Sequence, residues 1–118
     1  MTYRKNAIQE KSFDFSVHIV KFCFEMQRNH REFIITKQLL RSGTSVGANV
    51  EEAQGAISKK DFIHKMHISL KEARETSYWL NLINKSDIFE SDKIELLKTK
   101  SDELVKILNS ILYTAKRN

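Results

Sequence analysis

The stretch QLLRSGTSVGANVEEAQGA, Gln38 to Ala56, places Gly43 and Gly47 four residues apart inside a run that otherwise reads as helix. A glycine in a helix interior costs about 1 kcal/mol relative to alanine. A neighbouring helix that approaches closely is the simplest feature to offset that cost. Ile35, Leu39, Val46, Val50 and Ala53 share one face, the apolar stripe of a helix running from about Glu32 to Gln54. A phosphate-cradling loop would also use glycines, but the P-loop lysine and its preceding strand are missing. The stretch therefore reads as one helix of a packed bundle, with Gly55 at its C-terminus, where a positive φ suits glycine.

Downstream, Ser58 followed by Asp61 reads as a capping-box-like start for a helix from about Lys59 to Asn84. Its seam, Phe62, Met66, Ser69, Ala73, Thr76, Leu80 and Ile83, alternates by four and three. The centre of that seam is small, so this helix is the expected partner of Gly43 and Gly47. A turn over Ser86 to Glu90 and a cap at Ser91 lead to a last helix with Ile94, Leu97, Ser101, Leu104, Leu108, Ile111 and Ala115 on one face. Upstream, the first helix runs from about Phe13 to Gln27, and an earlier turn can reach back to Ala7. Four helices on short loops predict an all-α, antiparallel up-and-down four-helix bundle, one domain over residues 1–118.

The first helix is unusual. Phe13, Val17, Val20 and Phe24 occupy one face, and Phe15, Ile19, Phe22 and Met26 repeat the spacing roughly 200° round. Only Asp14, His18, Lys21, Glu25 and Arg28 form a polar stripe. One apolar stripe suffices in a lone bundle, so the second predicts self-association, with Phe15, Ile19, Phe22 and Met26 expected at the subunit interface.

Composition agrees with a single globular domain: 118 residues, 41% hydrophobic, 30% charged and no proline. The apolar runs are far shorter than the ~20 residues a bilayer requires. Met1 to Lys5 leads into no apolar signal region, and the lone Cys23 suits a reducing compartment, so a cytoplasmic protein without membrane contact is expected. The net charge of +5 permits nucleic-acid binding. Residues 1–31 and 58–86 each carry six Lys and Arg against three acids, whereas 87–118 balances at six each.

Beside the core face of the second helix, Gln38, Ser42, Ser45, Asn49 and Glu52 form a stripe of their own. Small and amide side chains there suit a half-buried packing surface better than a solvated face. With Arg41, these residues resemble the signature of the four-helix bundle family encoded by intervening sequences of bacterial 23S ribosomal RNA genes. SLKEARETSYWL, Ser69 to Leu80, resembles the family's second marked stretch, with Glu75 on its recurring glutamate. The similarity runs from about Ser12 to the end of the chain; Ala53 departs from it where many members have glycine. The resemblance implies a ring-like homo-oligomer, typically a pentamer, with a link to RNA and no active site or cofactor. The related accessory proteins of diversity-generating retroelements use a basic pentameric barrel to bind nucleic acid and a reverse transcriptase.

Opposite the seam of the third helix, Lys60, His64, His67, Lys71, Arg74 and Tyr78 line up without an acid. Cations can hold phosphates and a tyrosine can stack on a base, although a plain solvated face gives the same pattern. His64 and His67 have no evident third ligand, so no metal is expected. Cys23 reads as a small buried hydrophobe and not a nucleophile. Glu72 and Glu75, near Trp79, read as ion-pair partners of Arg41 or of a neighbouring subunit. No catalytic residue is expected. The leading reading is a non-enzymatic oligomeric scaffold facing RNA or DNA; the alternative is a module that organises a protein partner without binding nucleic acid.

Overall fold

Asn6 and Gln9 cap each other's backbone: Asn6 Oδ1 accepts the Gln9 N–H at 2.9 Å, and Gln9 Oε1 accepts the Asn6 N–H at 3.0 Å. This capping box starts the first helix at Ala7, well before Phe13. The computed structural model describes residues 6–89 and 91–117. They form α1 (Ala7–His30), α2 (Ile34–Gln54), α3 (Lys59–Ser86) and α4 (Lys93–Arg117), with no strand among the described residues. Met1 to Lys5, Glu90 at the end of the expected turn, and Asn118 lie outside them.

The other helix ends also follow from local chemistry. Arg31 takes the left-handed conformation, φ 52°, and its N–H closes α1 on the Gln27 carbonyl. Phe33, the N-cap of α2, supplies no side-chain cap; the Glu32 carboxylate instead accepts the N–H groups of Ile34, Ile35 and Thr36 at 2.8–3.0 Å. Gly55 ends α2 with φ −98°, so the expected positive φ is not used: its N–H bonds back to Glu52 and Ala53 within ordinary right-handed geometry. Ser58 caps α3 by accepting the Asp61 N–H at 3.0 Å, as expected, but the Asp61 carboxylate reaches back to the Ile57 N–H instead of Ser58. Asp87, φ 58°, ends α3, and Ser91 Oγ accepts the Lys93 N–H before α4.

Each helix packs on its two neighbours in chain order, α4 closing on α1, and none crosses the diagonal. Consecutive helices run antiparallel. Asn6 meets Gln54 and Gln27 meets Thr36 across α1 and α2; Ser77 meets Ser101 and Asn84 meets Glu95 across α3 and α4. The expected seams of α3 and α4 line the core, although near the end of α4 the buried position passes from Ile111 to Leu112. A straight helix turns 3.6 residues per repeat, so a strict 3-4 pattern drifts off the core over several turns. No helix among the described residues is long and apolar enough to cross a membrane.

Two expectations are corrected here. Phe15, Ile19, Phe22 and Met26, expected at a subunit interface, are at most 3% exposed and form the α1 share of the core. The capping box explains the reversal. With α1 starting at Ala7, that stripe continues through Ile8 and Ser12, whereas the Phe13 stripe runs out into polar residues. The longer stripe turns inward, leaving Phe13 64% and Phe24 54% exposed. The second correction concerns the glycines, which face α1 and not α3. A Cβ on Gly43 would stand 2.9 Å from Ile19 Cγ2, and one on Gly47 3.1 Å from the Ser12 carbonyl oxygen. The small centre of α3 meets α2 elsewhere: Ser69 Oγ donates to the Val46 carbonyl at 2.8 Å.

Candidate functional site

The polar stripe of α2 lies along α3, graded from buried to exposed. Ser42 is fully buried and accepts a hydrogen bond from Thr76 Oγ1 at 2.9 Å. Ser45 and Asn49 are half-buried and bond to α2's own backbone, at the Arg41 and Ser45 carbonyls. Gln38 and Glu52 are exposed, and Glu52 pairs with Lys65 of α3 at 2.9 Å. Arg41 forks across α3, with Nη1 on Glu72 at 3.0 Å and Nη2 on Glu75. Glu75 also accepts the indole N–H of Trp79 at 3.0 Å. The Trp79 bond, followed by Arg41, holds the Glu75 carboxyl below the usual range, against the burial that pushes it up. These contacts join two helices through partnered polar groups, and no buried side-chain nitrogen or oxygen among the described residues lacks a partner.

The outer face of α3 is different. Lys60, His64, His67, Lys71, Arg74 and Tyr78 are all exposed. Lys11, Lys65, Lys93 and Lys100 each meet a carboxylate, yet Lys60, Lys71 and Arg74 form no ion pair among the described residues. Tyr78 is 58% exposed and rests edge-on against Trp79, ring centroids 5.1 Å apart. The face thus presents cations that form no close ion pair, although the Lys71 charge acts on Glu75, beside an exposed aromatic ring in edge contact with Trp79.

His64 and His67 stand on this same face. No group of three or more His, Cys, Asp and Glu among the described residues could hold a metal ion. Cys23 is buried in the core, and burial pushes its thiol up to about 12, well away from a reactive thiolate.

Sequence reasoning missed the contribution of α4. Lys106, Tyr113, Lys116 and Arg117 stand exposed on its last turns, and no acid occurs after Glu103. Averaging charge over residues 87–118 concealed this, because the six acids of that segment all precede Lys106. The antiparallel packing brings this acid-free end beside the start of α3, where His67 and Tyr113 line one groove.

The profile of a family described as 23S rRNA-intervening sequence protein matches residues 4–110. A crystal structure of a protein with unknown function from the S23 ribosomal protein family, from Bacteroides thetaiotaomicron, superimposes with a TM-score of 0.86. It is 42% identical, and the match covers 90% of this chain and 98% of that one. No curated protein matches the chain.

Proposed function

Because the chain belongs to the family of 23S rRNA-intervening sequence proteins, we propose that it is a non-enzymatic, oligomeric helical-bundle scaffold of the cytoplasm that binds nucleic acid, ribosomal RNA foremost. The observation that carries this reading is the outer face of α3, where Lys60, Lys71 and Arg74 are exposed and unpaired by any carboxylate among the described residues. Lys60 and Arg74 are about 21 Å apart along the helix axis at 1.5 Å per residue, a length that spans several phosphates of a strand.

Exposed apolar surface on α1 supports the self-association in this reading. Phe13, Val17, Val20 and Phe24 form an apolar strip on α1 with Phe13 and Phe24 more than half exposed. Contiguous apolar surface of this kind favours a contact with another chain. A second copy, in a ring for which five subunits are favoured, would cover it. Each ring would repeat the basic face, so weak contacts would sum to useful avidity.

The test is a salt titration of RNA binding. Binding should tolerate most sequences and weaken steeply with salt. Changing Lys60, Lys71 and Arg74 together to Gln should leave the fold intact while flattening the log–log salt slope by roughly two on a single strand. No detectable binding to RNA or DNA at low salt, or binding unaffected by the triple change, would remove the nucleic-acid reading. The alternative, a module that organises a protein partner, draws on Phe33 and Ile34. These are 54% and 79% exposed at the α1–α2 turn.

A further inference from the structure

An open groove of about 530 Å³ runs between α3 and α4. Leu70 and Leu112, both nearly fully buried, are its floor, and His67, Asn109, Tyr113 and Lys116 stand along its sides. Tyr113 is 64% exposed, so its ring contributes little to the core. Arg117 backs it: the guanidinium carbon lies 5.3 Å from the ring centroid, and Nη1 donates to the tyrosine hydroxyl at 3.4 Å. One ring face is thereby braced, while the exposure of the residue leaves the rest open to solvent.

We infer that this groove takes one unpaired nucleotide of the bound nucleic acid, and that the protein therefore prefers single strands to duplex. The inference rests on the nucleic-acid reading above and names the form of ligand it requires. A nucleobase is a flat plate with apolar faces and a hydrogen-bonding rim. Tyr113 supplies a stacking surface, worth roughly tenfold in affinity for one base. Leu70 and Leu112 supply an apolar floor, and the Asn109 amide can both donate to and accept from a base edge. Charge selects the rest of the ligand. Lys116 and Arg117 end α4 with no acid after Glu103, and the antiparallel packing sets that end beside the first turns of α3, where His67 shares the groove with Lys116. Asp61, the carboxylate next to Lys60 in the chain, is engaged with the Ile57 N–H. Bases stacked within a duplex cannot reach such a groove, whereas those of a single strand can.

The experiment compares a labelled oligouridine 12-mer with an RNA duplex of equal length, by fluorescence anisotropy at low salt. The unaltered protein, Tyr113→Ala and Tyr113→Phe are measured in parallel, with thermal melts to verify folding. The single strand should bind tighter. Tyr113→Ala should weaken single-strand binding about tenfold, leave duplex binding and the salt slope unchanged, and Tyr113→Phe should restore the affinity. Equal loss on both ligands, no loss, or tighter duplex binding would overturn the inference while leaving the nucleic-acid reading intact. If neither ligand binds, both fall together.

Discussion

Gly47 of α2 lies against the backbone of Ser12 on α1, where a Cβ would stand 3.1 Å from the Ser12 carbonyl oxygen and 3.1 Å from Ser16 Oγ. One turn earlier, Gly43 meets Ile19, whose branched carbons are stiff and wholly buried. Neither neighbour is the far end of a flexible chain that could swing aside. Gly43→Ala and Gly47→Leu should therefore each destabilise by about 1–3 kcal/mol through overpacking. At an exposed helix position the same changes would stabilise by helix propensity. A raised melting temperature in either variant would show that α1 can retreat from α2 at no cost.

The exposed strip of α1 allows the proposed assembly to be tested separately from folding. Phe24→Glu should leave the fold intact, because the side chain is more than half exposed in the single bundle, and should yield a monomer under the proposal that copies meet on this strip. Phe22→Glu should instead unfold the bundle, since it buries a charge in the core at a cost of several kcal/mol. Light scattering and circular dichroism on the two variants distinguish the cases. A monomeric unaltered protein at micromolar concentration would refute self-association through this strip.

The four helices, their antiparallel order and most core positions were legible because 3-4 spacing forces side chains to one face. Which of two such faces on α1 turns inward was not legible from spacing alone. The answer lay in where the helix begins, and that is set by the exchange between Asn6 and Gln9. The partner of Gly43 and Gly47 was misjudged for a similar reason. Their spacing demands a close neighbour but does not say which, and Ser12 and Ser16 of α1 are as small as the centre of α3. The basic face of α3 was legible as a stripe. Its continuation onto α4 depends on a tertiary contact that a charge count along the chain does not contain.

Arg41 joins α2 to α3 through two carboxylates, with a separate guanidinium nitrogen on each, a spread that the single nitrogen of an ammonium does not have. Its side chain is about half exposed, so the loss in Arg41→Ala should stay near 1 kcal/mol or below. Arg41→Lys should fall between that variant and the unaltered protein. Trp79, the one tryptophan, bonds to Glu75 and reports on the pair through its emission. An unchanged spectrum and melting temperature in Arg41→Ala would mean that the Trp79 bond alone fixes Glu75.

Glu32 gives the bundle a specific acid sensitivity. Burial pushes its carboxyl up, but the N–H groups of Ile35, Thr36 and Ile34 outweigh this, and the group sits below its ordinary value of 4.5. A carboxyl lowered in the folded state stabilises fully above its unfolded value, and that contribution is lost as pH falls through the folded value. Glu25, Glu75 and Glu103 are lowered as well, by Lys93, by Trp79 and Arg41, and by Lys11 respectively, and act in the same direction. Glu32→Gln removes the charge that anchors the first turn of α2, where Phe33 offers no side-chain cap. At neutral pH this variant should melt lower, by about 1 kcal/mol of stability, the usual worth of an N-terminal cap. Below pH 4.5 the gap should narrow, and it should close as pH falls through the lowered folded value, where the native carboxyl itself becomes protonated. Melting curves of the two proteins from pH 7 downward should converge. Curves that stay parallel into acid would show that the Glu32 charge contributes nothing to α2, and that the acid loss belongs to the surface ion pairs alone.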